Sequence, residues 1–217
     1  MRKLFVLAVY LIAFYSIWTV WEFWGKSLVD TIIKEKWAAQ MIKSCVVKNL
    51  VWTLPAILLI QHFKSDVAIS LREMFLTKVS WLRYLPVFVA FTIYVLMGSI
   101  LKNGGVEITG EFGLDKIIIV LFVGITEEMV FRGWLLNAMI CNNRQWFSIF
   151  WNAVMFLAIH FPVWICTGVF VHRFTSLQCL EIMALSVIFS RAFIKSRSIL
   201  VPVALHMYWD LLVFMFI

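Results

Sequence analysis

The residues able to do chemistry gather in the second half of the chain. The stretch "GITEEMVFRGW" holds Glu127, Glu128 and Arg132. "NAVMFLAIHF" holds Phe156 and His160, and "VPVALHMYWDLLVF" holds His206 and Asp210. Carboxylates beside imidazoles suit hydrolysis, in which a carboxylate takes a proton from water while an imidazole holds and polarises that water. Further donors can stabilise the oxyanion of a tetrahedral intermediate. Glu127, His160, His206 and Asp210 equally suit Zn2+ or another divalent metal, whose bound water ionises near neutral pH. Both chemistries are open at this level. The chain has no H-E-x-x-H and no G-x-S-x-G, and Ser186 and Ser190 have no local partner pattern.

Spacing sorts the first group. On a helix, residues four apart share a face, so Glu128 can pair with Arg132. Glu127 is turned about 100° away. Its own four-apart neighbour is Phe131, so its helix offers its charge no partner. His206 and Asp210 are again four apart and share a face. A charged residue at the centre of a spanning helix costs about 2.5–3.5 kcal/mol on insertion scales, and intramembrane ionisable groups face inward and seek each other. A structural ion pair explains Glu128 and Arg132 but leaves Glu127 over. The predicted arrangement is therefore one polar cavity built from three helices, with His160, His206 and Asp210 as the candidate partners of Glu127.

The elements that must position these groups are membrane spans. Of the 217 residues, 63% are hydrophobic and 14% charged, and the mean hydropathy is +0.94. A soluble domain is about half apolar and a quarter charged. Apolar runs of nearly bilayer length recur throughout. The sequence predicts one all-α, polytopic domain over residues 1–217 with about seven spans, six to eight being compatible. They run approximately over Leu4–Trp24, Cys45–Phe63, Tyr84–Leu101, Ile117–Ile140, Trp146–Phe161, Leu177–Ile194 and Ile199–Ile217. The runs are continuous rather than alternating, which selects helices over a barrel.

The first run, behind Arg2 and Lys3, is too long for a signal peptide and has no small-residue cleavage site after it. Lys48, near one end of the second span, is expected to snorkel. "PVWICTGVFVHRF" would extend the fifth span, re-enter the membrane, or form a loop. "KNGGVEITGEFGLDK" reads as a connector. Cys45, Cys141, Cys166 and Cys179 read as small hydrophobes, with no paired spacing. The net charge of +7 fits basic loops at an anionic lipid surface, and no soluble basic domain is present to grip nucleic acid. Alternating the loops puts more Lys and Arg on the side of the N-terminus, which is expected to be cytoplasmic.

The ordered motifs resemble the CAAX-protease and bacteriocin-processing family of intramembrane proteases, which includes the type II CAAX prenyl endopeptidases. Glu127, Glu128 and Arg132 match its E-E-x-x-x-R, followed by Gly133. Phe156 and His160 match F-x-x-x-H, and His206 and Asp210 match H-x-x-x-N/D. The resemblance covers about residues 115–217. It implies that Glu127 with His160 activates water, that Glu128 and Arg132 (with Phe156) support the site, and that His206 with Asp210 stabilises the oxyanion or binds metal. The eukaryotic prenyl-protease branch has Asn where Asp210 stands, and an aspartate donates a hydrogen bond only when protonated. Asp210 and the short chain point to bacterial branches and a multi-pass protein of the cell membrane.

The implied activity is endopeptidase cleavage of a peptide or membrane-protein substrate within the lipid bilayer, with bacteriocin maturation or self-immunity as its setting. Two rivals remain: a proton or cation transporter, and a non-catalytic immunity or scaffold protein. The first three spans contain few ionisable groups, which counts against a transport path.

Overall fold

The computed structural model of the protein describes residues 2–140 and 144–217. Cys141 and the side chain of Arg2, both read above, lie outside the described residues. The described chain is 83% helix with no strand, as its continuous apolar runs dictate. Seven long helices among the described residues stand where seven spans are expected. They are α1 (Lys3–Ile32), α2 (Lys36–His62), α4 (Trp81–Asn103), α6 (Gln145–Cys166), α8 (Leu177–Ser196), α9 (Leu200–Phe216) and α5. The last joins Leu114–Glu128 to Met129–Leu136 and Asn137–Met139. Short helices α3 (Leu71–Leu76) and α7 (Phe170–Thr175) lie between them.

Five of these, α1, α2, α4, α6 and α8, are long and apolar enough to cross a membrane by length and composition. α9 is shorter, and α5 carries Glu127, Glu128 and Arg132 in its apolar stretch. Large apolar side chains such as Phe5, Ile12, Leu58, Ile93, Leu101 and Phe147 are exposed on the outer helix faces. In a soluble protein such surface would be a liability; in a multi-pass membrane protein it is the lipid-facing surface.

Several boundaries differ from expectation. α1 runs on to Ile32, beyond Trp24. α2 starts at Lys36 rather than Cys45, because a helix satisfies its own backbone groups even where Lys36 and Lys43 lower the hydropathy. The fifth span is extended: α6 passes His160 and Pro162 and ends at Cys166. Proline is tolerated there because it occupies the first turn of the segment Phe161–Cys166. Gly168, with φ +72°, then turns the chain into α7. The connector before α5 begins at Gly104, whose φ of +76° is the left-handed conformation that closes a helix. Cys45, Cys166 and Cys179 are free thiols.

α5 is the hub. Its stretch Met129–Leu136 is buried on every side; apart from Arg132 it is apolar all round, as a buried helix is. It packs against α2, α6, α8 and α9. Gly124 permits the closest approach: a Cβ there would lie 2.7 Å from Met207 Cγ of α9 and 3.5 Å from Val203 O. Beside α5, an aromatic wall links α1 and α2 to it. Phe14 meets Trp52 at 4.8 Å between ring centroids, and Trp18 meets Trp52 at 4.6 Å.

One end of the bundle is tied together by polar contacts. Lys3 Nζ donates to Asp66 O at 2.9 Å. Asn137 exchanges hydrogen bonds with both backbone groups of Ile69. Arg197, with φ 54°, ion-pairs with Glu73 and donates to Ala68 O. The N-terminus, the segment around residues 64–80 and the α8–α9 turn thus share one end, in agreement with strict alternation of the spans.

Candidate active site

The site is built on the middle of α5. Its buried base is Glu128, whose Oε1 accepts from Arg132 Nη1 at 2.9 Å and from His206 Nδ1 at 2.9 Å. The first contact is the four-apart pair expected from spacing; the second reaches across to α9. Arg132 Nη2 donates on to Ser186 Oγ at 2.8 Å and Ser186 O at 3.0 Å. Its guanidinium carbon lies 4.5 Å from the centre of the Phe156 ring. Glu128 and Arg132 have no exposed surface. Planar, multiply donating arginine is well matched to such a buried junction.

Nearby, Asn152 Nδ2 donates to Phe131 O at 2.7 Å and Ser190 Oγ donates to Asn152 Oδ1 at 3.2 Å. The two serines without sequence partners, Ser186 and Ser190, therefore join α8 to α5 and α6. Their partners lie on other helices, where no local pattern can reveal them.

Glu127 points to a different set. Its Oε1 accepts from Lys48 Nζ of α2 at 3.0 Å. Its Oε2 lies 4.0 Å from His206 Nε2, too far for a direct hydrogen bond and the right span for one bridging water. Asp210 Oδ2 lies 3.6 Å from the same nitrogen. The His206 ring is stacked on Phe189 at 5.0 Å, with 21° between planes. A carboxylate only accepts, so the Nδ1 of His206 carries the hydrogen toward Glu128. This contact fixes the ring and presents Nε2 to Glu127 and Asp210.

His160 stands one turn beyond Phe156, whose ring touches both imidazoles: 5.7 Å to His160 and 5.8 Å to His206. His160 Nδ1 faces Phe156 O at 3.2 Å. Among the described residues no carboxylate oxygen lies within 4.0 Å of a His160 ring nitrogen.

The partner of Glu127 that sequence reasoning missed is Lys48. It does not snorkel. With α2 starting at Lys36, Lys48 falls at mid-helix and is buried, 4.6 Å from the Trp52 ring centre and 5.2 Å from that of Trp18. A lysine within an apolar run was the available signal; the misplaced helix start disguised it as a terminal residue.

Exposure divides the cluster. The Glu128 and Arg132 side chains are 0% exposed, Glu127 10% and Asp210 19%. Glu128 and Arg132 are sealed, while Glu127 and Asp210 keep a small exposed edge. Lys48 already occupies Glu127 Oε1, and among the described residues no three His, Cys, Asp and Glu side chains are grouped to hold a metal ion. Of the four residues expected to suit a divalent metal, Glu127 and Asp210 flank Nε2 of His206, while His160 makes no carboxylate contact among the described residues.

Residues 110–212 match the family model described as type II CAAX prenyl endopeptidase Rce1-like. The match contains every motif residue of the cluster and excludes Lys48. That family is one of CAAX-type intramembrane proteases, and the resemblance drawn from the three motifs is borne out. No curated protein and no solved structure matches the chain.

Proposed function

We propose, with residues 110–212 of the type II CAAX prenyl endopeptidase Rce1-like family as premise, that the protein is an intramembrane endopeptidase in which Glu127 activates water. The observation that carries this reading is a carboxylate oxygen, Glu127 Oε2, without a hydrogen bond among the described residues, 4.0 Å from an anchored imidazole nitrogen beside a sealed ion-pair network.

The steps follow from these atoms. Glu127 takes a proton from water as its oxygen adds to the scissile carbonyl carbon. The carbonyl π pair moves to oxygen and forms the oxyanion. His206, held from behind by Glu128, is a preorganised group beside that oxygen; as an imidazolium it donates from Nε2. His160, free of carboxylate partners, holds the attacking water, as the motif order implies. Asp210 orients Nε2 of His206. Collapse of the intermediate breaks the C–N bond, and Glu127 returns its proton to the departing amine. Lys48 supplies positive charge beside Glu127, and no step is routed through a metal.

The proposed substrate is a peptide or membrane protein presented from lipid, in a bacterial cell membrane with the N-terminal end cytoplasmic. Bacteriocin maturation or self-immunity is the setting suggested by the bacteriocin-processing branch. The test is cleavage of a peptide library by protein purified in detergent or in liposomes, comparing wild type with Glu127→Ala and His160→Ala. Loss of cleavage in both variants is expected. Equal cleavage by all three would overturn the catalytic roles, and full biological function of Glu127→Ala would favour a non-catalytic immunity or scaffold protein.

A further inference from the structure

We infer that Lys48 is a positioning residue of the hydrolytic site, supplied by the half of the chain outside the family match; the inference rests on Glu127 being the base. Three independent features meet at this residue.

The first is the contact. Lys48 Nζ fixes Oε1 of Glu127 at 3.0 Å, while Oε2 makes no hydrogen bond among the described residues and faces His206 Nε2. Holding one oxygen of a carboxylate sets the plane of the other. Lys48 thus holds one oxygen of Glu127 and leaves the other directed at the imidazole.

The second is the setting. The ammonium lies near the Trp18 and Trp52 rings, which provide cation–π contact where water is scarce. Trp18 is itself fixed, donating from Nε1 to Ile159 O at 3.0 Å, next to His160. The wall that holds Lys48 is therefore tied to the chain beside the second motif.

The third is the backbone. Lys48 lies between two wide-turn stretches of α2, Ile42–Val47 and Asn49–Thr53. In the second, the N–H of Leu54 reaches Asn49 O, five residues back. Such turns are uncommon, rotate the side chains that follow, and cluster at functional sites. Here they aim a mid-helix lysine at α5.

The consequence is that the N-terminal half is part of the catalytic apparatus, not only an anchor. Glu127, oriented and charge-balanced by Lys48, stays in place without a divalent cation.

The experiment uses the full chain in liposomes with the peptide cleaved by wild type. Lys48→Met, Lys48→Arg, Glu127→Gln and the double variant Lys48→Met/Glu127→Gln are compared for kcat, KM and thermal midpoint. The expected result is a fall in kcat of about 10- to 100-fold for Lys48→Met, the size typical of losing a residue that orients a reactive group, with KM within about twofold. Lys48→Arg is expected to recover most of kcat, since a guanidinium also pairs with a carboxylate. In the Glu127→Gln background, Lys48→Met should add no further loss, because two residues acting as one unit are non-additive.

Unchanged kcat in folded Lys48→Met overturns the inference while leaving Glu127 as base. Equal multiplicative losses in both backgrounds also overturn it, since they mark a general structural effect. Full activity of Glu127→Gln overturns the underlying reading itself, so the two failures are distinguishable.

Discussion

Glu128 Oε1 and His206 Nδ1 meet at 2.9 Å, although 78 residues separate them in the chain. This contact joins α5 to α9 at the depth where Gly124 lets the two helices touch. It makes one carboxylate serve as both ion-pair partner of Arg132 and anchor of the imidazole facing Glu127. The two adjacent glutamates thus have separate tasks, and each can be tested.

Glu127→Gln keeps the shape and a hydrogen-bond acceptor for Lys48 but removes the base. We expect a loss of cleavage of about 10²- to 10⁴-fold, the usual contribution of general-base catalysis, with little change in thermal midpoint. Initial rates on the wild-type substrate, with a melting curve in the same detergent, check this.

Arg132→Met leaves Glu128 in a fully buried place without its guanidinium. Breaking a buried pair from one side costs about 3–5 kcal/mol, so this variant is expected to lose stability as well as activity. The double change Glu128→Met/Arg132→Met should recover much of the stability and none of the activity, because His206 loses its anchor. Denaturation in detergent and peptide cleavage are the readouts.

Gly124→Ala introduces a Cβ 2.7 Å from Met207 Cγ. Overpacking of this kind costs about 1–3 kcal/mol, and here it pushes α5 from α9 and lengthens the Glu128–His206 contact. Reduced kcat is expected, with recovery in Gly124→Ala/Met207→Ala. Failure of the shorter Met207 side chain to restore activity would show that close packing at this point does not govern the site.

The tie between Glu73 and Arg197 sits outside the spans and gives a pH dependence. The guanidinium holds the Glu73 carboxyl below its ordinary value of 4.5. A carboxyl lowered in the folded state contributes stability above its unfolded value and loses it as pH falls through the folded one. The end of the bundle is therefore expected to loosen below about pH 4.5, and Glu73→Gln should abolish that acid-dependent part. The pair is partly exposed, so its contribution is about 0.2–1 kcal/mol. Thermal midpoints at pH 7 and at acidic pH, for wild type and variant, measure it.

Chelation supplies the last test. With Lys48 occupying Glu127 Oε1, the protein is expected to keep its cleavage rate after treatment with a strong chelator and to gain nothing from added zinc. A rate abolished by chelation and restored by zinc would return Glu127, His160, His206 and Asp210 to the role of metal ligands.

Which of these features were legible beforehand follows a physical rule. Helical spans follow from composition, because backbone groups in lipid must bond within their own segment. The Glu128–Arg132 pair follows from four-residue spacing, which is local geometry. The placing of His206 beside Asp210 follows for the same reason. Lys48 did not follow: charges at Lys36 and Lys43 concealed the start of α2, and a mid-helix lysine looked terminal.

By itself, then, the sequence determined an all-helical membrane chain, its ordered polar motifs, and pairs made within one turn of helix. The tertiary structure alone decided that Lys48 meets Glu127, that Glu128 anchors His206, and that Ser186 caps Arg132. Those contacts join residues between 54 and 79 positions apart. No local periodicity encodes them, because they depend on which helices pack together and how closely their backbones approach.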